Sequence, residues 1–171
     1  MLFRSSVQCV ELPSFSGGDG VGGNYVGAFT DPATGKVVAE TLIGEGCDVI
    51  FAAAGESGNG ALTAVKEANG VWFIGCDADQ FDDGVKGDGN VILTSALKVM
   101  HLDVERQLNA IYDGTFVGQD ALLGADTDST GYVSAEGRQQ LSDDALSKMA
   151  ECYELMKKGE IVPPTSLAEL Q

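Results

Sequence analysis

The chain has 171 residues with 26 acidic against 10 basic side chains, a formal net charge of -16, 23 glycines and four prolines. That length fits one domain or two small ones and is too short for an eightfold β/α barrel, which takes about 250 residues. With 44% apolar and 21% charged residues the chain can bury a core, while its acidic excess argues against nucleic acid, whose phosphates are bound by Lys and Arg, and against an anionic membrane surface.

Met1 to Val10 holds one Arg and no sustained apolar stretch, and no run approaches the roughly 20 residues that span a bilayer. Residues 1–23 end in SFSGGDGVGG and read as a flexible lead-in without regular structure. Asn24 to Phe29 is a strand-like run. Asp31-Pro32 then predicts a helix start, with Asp as N-cap and Pro at the first helical position. This helix runs to about Ile43, where Gly44 and Gly46 stop it. Cys47 to Ala54 is a nearly unbroken apolar run, the pattern of a strand covered on both faces. Gly55 to Gly60 turns the chain into a second helix over Ala61 to Ala68, and Val71 to Cys76 is the next buried strand.

Strand, helix, strand, helix and strand over residues 24–77 make a βαβαβ unit with a parallel sheet. Right-handed crossovers are expected, and ligands of such sheets bind at the carboxyl ends of the strands. A glycine- and charge-rich loop over Asp82 to Asn90 leads into a fourth strand, Val91 to Ser95. Met100 to Tyr112 predicts an amphipathic helix, Asp126 to Gly137 a polar loop, and Ser142 to Lys157 a final helix before an extended Gly159 to Pro164.

Few motifs carry chemistry. Gly55-x-x-Gly58-x-Gly60 before a helix invites an anion on backbone N–H groups. However, a phosphate loop needs Lys and Ser or Thr next, and Ala61-Leu62 stands there. Ser57 or Asn59 could meet a polar ligand at this turn, which a plain strand-to-helix connection explains equally well. Asp126-x-Asp128-x-Thr130-Gly131 resembles the start of a calcium loop, but its twelfth position is Gly137, so a solvated turn fits better. Asp77 and Asp79 follow a strand end, where carboxylates can accept hydrogen bonds from ligand hydroxyls, and also suit turns. Lys98 follows another strand and could pair with Asp77 or remain a solvated lysine. Phe29, at the carboxyl end of the first strand, could stack on a planar ligand or sit in the core. His101 is the single histidine, so no histidine metal cluster can form and a nucleophile has one candidate base. Cys9, Cys47, Cys76 and Cys152 lack paired CxxC spacing and read as buried thiols. The strand assignments put Cys47 and Cys76 roughly 15 Å apart, beyond disulfide reach.

Tyr25-Val-Gly-Ala-Phe-Thr-Asp-Pro32, Gly46-Cys-Asp-Val-Ile-Phe51, Ala53-Ala-Gly55 with Gly58-Asn-Gly60, Ile74-Gly-Cys-Asp-Ala-Asp-Gln80 and Thr94-Ser-Ala-Leu-Lys98 resemble the basic membrane protein family, as does Lys158 to Pro163. This family comprises purine-nucleoside-receptor-like lipoproteins, the substrate-binding components of ABC importers. The resemblance covers about residues 24–165. It implies the type I periplasmic-binding-protein fold, an α/β clamshell of two lobes, here with a parallel-sheet second lobe and an incomplete or absent first lobe. Residues 24–98 then form the second-lobe ligand-binding unit and residues 99–171 the returning helices and hinge elements.

The same resemblance implies a ligand set: Phe29 stacking on a purine, Gly55 at the glycine turn, and Asp77 with Lys98 on the ribose hydroxyls. It implies no cofactor, no catalysis, an ABC permease as partner, and a lipid anchor on the outer face of the plasma membrane. Cys9 lacks the hydrophobic region that should precede a lipidated cysteine, so the chain reads as the carboxy-terminal part of a longer receptor. The apolar face of the Met100 to Tyr112 helix should then be exposed or pair with another copy. A sugar or autoinducer receptor of the same fold is the alternative, and a small α/β enzyme using Asp77, Asp79 or Lys98 a further one. The enzyme is disfavoured because no nucleophile, base and orienting group assemble at neighbouring strand ends.

Overall fold

A computed structural model describes residues 12–15 and 23–163. Most of the lead-in, Cys9 included, therefore falls outside the described residues, as does Pro164 at the close of the expected extended end. The chain divides into two compact units, one built from the described residues up to Ile50 with Ala54–Val71, the other from Phe51–Ala53 with Trp72–Pro163.

The first unit is a pair of closely packed helices. Helix α1 spans Pro32–Gly44, and the Asp31 carboxylate caps it by accepting from the Thr34 N–H at 3.0 Å. Its carboxyl end closes as Glu45 donates to the Thr41 carbonyl and Gly46 to that of Ile43, with Gly46 in the left-handed region at φ +95°. Strand β1, Val49–Phe51, follows, and helix α2 spans Ser57–Glu67. The α2 helix begins four residues before the predicted start, so Gly58 and Gly60 lie inside it and not in a turn. Both are buried, and Gly60 is a helix-packing residue. A Cβ on Gly60 would stand 1.8 Å from the Pro32 carbonyl oxygen, and one on Gly35 of α1 would stand 2.0 Å from that of Ser57. Val38 and Ala39 of α1 and Ala61, Leu62, Ala64 and Val65 of α2 are buried, each large aliphatic contributing about 1.5–3 kcal/mol.

The strand expected over Asn24 to Phe29 does not form; only an isolated bridge at Asn24 remains. Its backbone groups are used elsewhere. Tyr25 donates to the Phe15 carbonyl at 2.7 Å, and Ala28 and Phe29 give their carbonyls to the side chain and N–H of Ser57. Gly27, at φ +85°, further breaks the extended path. Strand β1 also departs from expectation. Ile50 is buried, but Val49 and Phe51 are 40% and 55% exposed, so one face of this strand is open.

The second unit holds a mixed sheet in which β2, β5 and β6 lie side by side in that order. Strand β2, Trp72–Gly75, runs parallel to β5, Ile92–Lys98, with Gly75 opposite Ser95. Between them residues 82–90 are not a plain loop: Phe81–Gly84 forms a 3₁₀ turn, and β3, Val85–Lys86, pairs with β4, Gly89–Asn90, across Gly87 at φ +59°. Strand β6, Thr130–Tyr132, lies antiparallel on β5, within the segment expected as a polar loop. The expected all-parallel sheet thus gains an antiparallel edge. Phe73 and Ile92 are the deepest apolar side chains of this unit.

Helix α3, Met100–Tyr112, has the predicted bounds and no buried residue; Met100, Val104, Leu108, Ile111 and Tyr112 are all exposed. Arg106 ties it down by donating to the Ser129 hydroxyl at 2.9 Å and to the Thr127 carbonyl. Helix α4, Asp143–Lys157, starts at a Ser142 N-cap and docks through Tyr153, whose hydroxyl donates to the Thr130 carbonyl at 2.7 Å and whose ring meets Tyr132 edge-on. The expected extended end begins instead as a helix cap, since Gly159 takes φ +71° and the Glu160 N–H returns to the Leu155 carbonyl at 2.9 Å. No helix among the described residues is long and apolar enough to cross a membrane.

Candidate functional site

In the first unit the structure brings Phe29 to Gly55. Phe29 is not at a strand end, because that strand is absent; it lies in the connection leading to α1. Gly55 adopts φ +56°, and a Cβ there would come within 3.3 Å of the Phe29 side chain and 3.2 Å of its carbonyl. Both its conformation and its neighbour require glycine at this position. The Phe29 ring is 72% exposed, so a core role is excluded and a face is open to a planar group.

Ser57 fixes this arrangement. Its fully buried hydroxyl donates to the Ala28 carbonyl at 2.7 Å and accepts from the Asp31 N–H at 3.0 Å, while its own N–H bonds the Phe29 carbonyl at 3.1 Å. Ser57 is therefore a structural anchor and is not available to a ligand, correcting the suggestion drawn from the glycine turn.

In the second unit Asp77 and Lys98 come together. The parallel pairing of β2 and β5 continues past Gly75, since the Lys98 N–H donates to the Asp77 carbonyl at 2.9 Å. Lys98 is thus the last residue of β5 and does not follow it. The ammonium stands 3.2 Å from the Asp77 carboxylate, with the two side chains 62% and 49% exposed. A pair this open contributes about 0–1 kcal/mol to stability. The carboxylate keeps acceptor capacity and the ammonium donor capacity for hydroxyl groups. Asp77 adopts φ +67°, one of two non-glycine residues in the left-handed region among those described. The pair borders an open cleft of about 310 Å³ whose other walls include Cys76, Ala96, Leu123 and Thr130, a volume at the small end for ligand pockets. Burial pushes the Cys76 thiol up, and the neighbouring Asp77 charge adds to this, so it stays protonated at neutral pH and is a poor nucleophile.

Asp79 is engaged differently. One carboxylate oxygen accepts from the Phe81 N–H at 3.0 Å and the other from Arg138 Nε at 2.8 Å; Arg138 also reaches Asp82 at 2.7 Å and lies over the Phe81 ring. Burial works against the charged carboxylate, yet Arg138 and the Phe81 N–H outweigh it and hold Asp79 below the usual carboxylate range. Asp128, in the calcium-like segment, gives its carboxylate to Lys157 at 2.7 Å. Cys47, Cys76 and Cys152 form no disulfide and are half-buried, less sheltered than expected.

Sequence reasoning missed Ser57 as an anchor, Arg138, and two residues beside Asp77, Gln80 and Ser95. Apart from the Cys76 N–H, four positions before Gln80, the partners that define these roles lie 15 to 59 positions away. The sequence signals are the Ile74 to Gln80 and Thr94 to Lys98 strings, which contain Gln80 and Ser95 without assigning either a part.

Comparison with known proteins agrees with this architecture. The profile described as "ABC transporter substrate-binding protein PnrA-like" matches residues 21–165. A CD4+ T-cell-stimulating antigen of Listeria monocytogenes is 34% identical over 152 residues, 82% of this chain and 42% of its own length. The ABC transporter nucleoside-binding protein BmpA of Lactococcus lactis is 34% identical over 106 residues, 55% of this chain and 30% of its own. The chain therefore spans less than half the length of these relatives. Among solved structures, a solute-binding protein of an ABC transporter system from Aeropyrum pernix K1 superposes with a TM-score of 0.66 at 24% identity, over 85% of this chain and 48% of that one. This last likeness bears on fold alone, the α/β architecture of periplasmic solute-binding proteins. With the family profile matched along most of its length, the chain belongs to the PnrA-like, or basic membrane protein, family of ABC transporter substrate-binding proteins.

Proposed function

We propose that this chain serves reversible, non-catalytic binding of a purine nucleoside for delivery to an ABC permease. In this reading Asp77 and Lys98 bind ribose hydroxyls, and Phe29, with its ring against Gly55, stacks on the base. The working receptor is held on the outer face of the plasma membrane by a lipid anchor. The observation that carries the reading is the Asp77–Lys98 pair at the carboxyl ends of two paired parallel strands, 3.2 Å apart and half open to solvent. Adjacent opposite charges present acceptors and donors together, the combination that a vicinal diol satisfies. The Lactococcus relative, named as nucleoside-binding, supports the substrate class, and the 72% exposed Phe29 supports an aromatic ligand.

Titration calorimetry with adenosine, guanosine and inosine tests the proposal, using the longest native form in which this sequence is encoded. Saturable heat with at least one nucleoside, weakened in Phe29→Ala, supports it. Binding of ribose alone with undiminished strength in Phe29→Ala replaces the nucleoside by a sugar. No heat and no thermal shift with any nucleoside overturns the substrate class, and release of free base overturns the non-catalytic role.

A further inference from the structure

We infer that Gln80 and Ser95 are positioning residues that hold Asp77 in its left-handed conformation beside Lys98. The inference rests on the reading of Asp77 as a ligand residue only for its effect on affinity. A non-glycine residue at φ +67° persists when its surroundings over-determine it, and the bonds around Asp77 do this from both sides. The N–H of Cys76, immediately before it, donates to Gln80 Oε1 at 3.0 Å. The Gln80 N–H donates in turn to the Ser95 hydroxyl at 3.2 Å, and Ser95 is completely buried. The Asp77 carbonyl is held by the Lys98 N–H at 2.9 Å.

Strand β5 therefore carries both anchors: Ser95 fixes the loop, and Lys98, three residues on, receives the carboxylate that the loop delivers. Gly75 makes room for the device, since a Cβ there would stand 2.4 Å from the Ser95 hydroxyl and 3.1 Å from Gln80 Oε1. Around Gln80 the loop is secured again, as the Asp79 carboxylate just before it accepts from both the Phe81 N–H and Arg138. The turn itself is closed by the Ala78 N–H donating to the Cys76 carbonyl at 2.8 Å, and Gln80 braces its Cys76 side so that the backbone keeps positive φ and the Asp77 carboxylate its place beside the Lys98 ammonium.

The test compares Gln80→Leu, which keeps the size and removes the acceptor, with Gln80→Glu, which keeps an acceptor, and Ser95→Ala, which deletes one oxygen. Two readouts are taken on the full chain: backbone chemical shifts and couplings of Asp77 and Lys98 by NMR, and nucleoside affinity by calorimetry with adenosine, guanosine and inosine. Gln80→Leu and Ser95→Ala are expected to shift the Asp77 resonances toward negative φ while those of α1 and α2 stay in place. Affinity should weaken roughly tenfold, the effect of losing one buried hydrogen bond, and Gln80→Glu should restore both. Should Gln80→Leu unfold, Ser95→Ala carries the comparison. Unmoved Asp77 resonances in the folded variants overturn the inference. If the parent protein binds no nucleoside, the functional reading fails, while the NMR comparison still decides whether Gln80 and Ser95 hold Asp77.

Discussion

Replacing Gly60 by Ala puts two opposed effects of known size at one position. Alanine in a helix interior is favoured over glycine by about 1 kcal/mol, because the unfolded chain has less freedom to lose. At Gly60 the new Cβ would stand 1.8 Å from the Pro32 carbonyl oxygen, 2.7 Å from its carbon and 2.9 Å from the Lys36 nitrogen. All three are backbone atoms of α1, so no side-chain rotation relieves the clash. The two helices must part by roughly 1.5 Å to restore ordinary contact, and a gap of that size forfeits much of the dispersion energy between them. Overpacking of this kind costs about 3 kcal/mol at the upper end of its usual range, leaving a net loss of about 2 kcal/mol.

Gly44, at the carboxyl end of α1, has nothing within 4 Å of its would-be Cβ and no positive φ. There the same substitution should gain about 0.5 kcal/mol. Urea unfolding followed by far-UV circular dichroism separates the two, with the midpoint falling by about 1 M for Gly60→Ala and unchanged or raised for Gly44→Ala. Trp72, the sole tryptophan, lies in the other unit and supplies an independent fluorescence signal. A Gly60→Ala midpoint equal to or above that of the parent would refute the close helix packing.

Ser57→Ala should cost about 1–3 kcal/mol, because the Ala28 carbonyl and the Asp31 N–H lose their buried partner together; thermal melting checks this, and an unchanged midpoint contradicts the anchor role. Phe29→Ala should leave the unfolding midpoint in place, since a side chain 72% exposed contributes little burial. The same variant should weaken purine binding by about 5- to 100-fold, the range for loss of a base-stacking ring; equal affinity in calorimetry removes Phe29 from the site. Asp79 and Asp128 both titrate below the ordinary carboxylate range: for Asp79 burial opposes the shift and is outweighed by the bonds from Arg138 and the Phe81 N–H, and for Asp128 the Lys157 bond leads. Their depressed folded values mean a contribution present above the unfolded carboxylate value and lost as pH falls through the folded one. Denaturation from neutral pH to pH about 3 should therefore show declining stability, with a shallower decline in Asp79→Asn; parallel curves would argue against the Arg138 bond.

Features encoded within a few residues are legible in the sequence itself. Asp31-Pro32 announces α1, because the capping carboxylate and the N–H it accepts from lie three positions apart, and Ser142 does the same for α4. The bounds of α3 follow from its own apolar spacing even though its apolar face is exposed. The pairing of Asp77 with Lys98 is one of several readings of those residues in the sequence and becomes definite through the parallel register of β2 and β5.

The alternating pattern is enough to name an α/β fold, since it depends on local hydrophobic periodicity, and the family is legible through the resemblance carried by strings of adjacent residues such as Ile74 to Gln80 and Thr94 to Lys98. Whether Asn24 to Phe29 becomes a strand depends on Ser57, nearly 30 positions away, which takes the carbonyls a ladder would need. Likewise Thr130-Gly-Tyr132 has no strand pattern of its own and extends because β5 offers it an edge. Gly60 has the neighbours of a loop glycine along the chain and is a helix contact in the fold, because its requirement comes from the backbone of α1. A hydrogen bond or a clash is a matter of distance in space, and positions far apart along a chain acquire that distance only when the chain is folded.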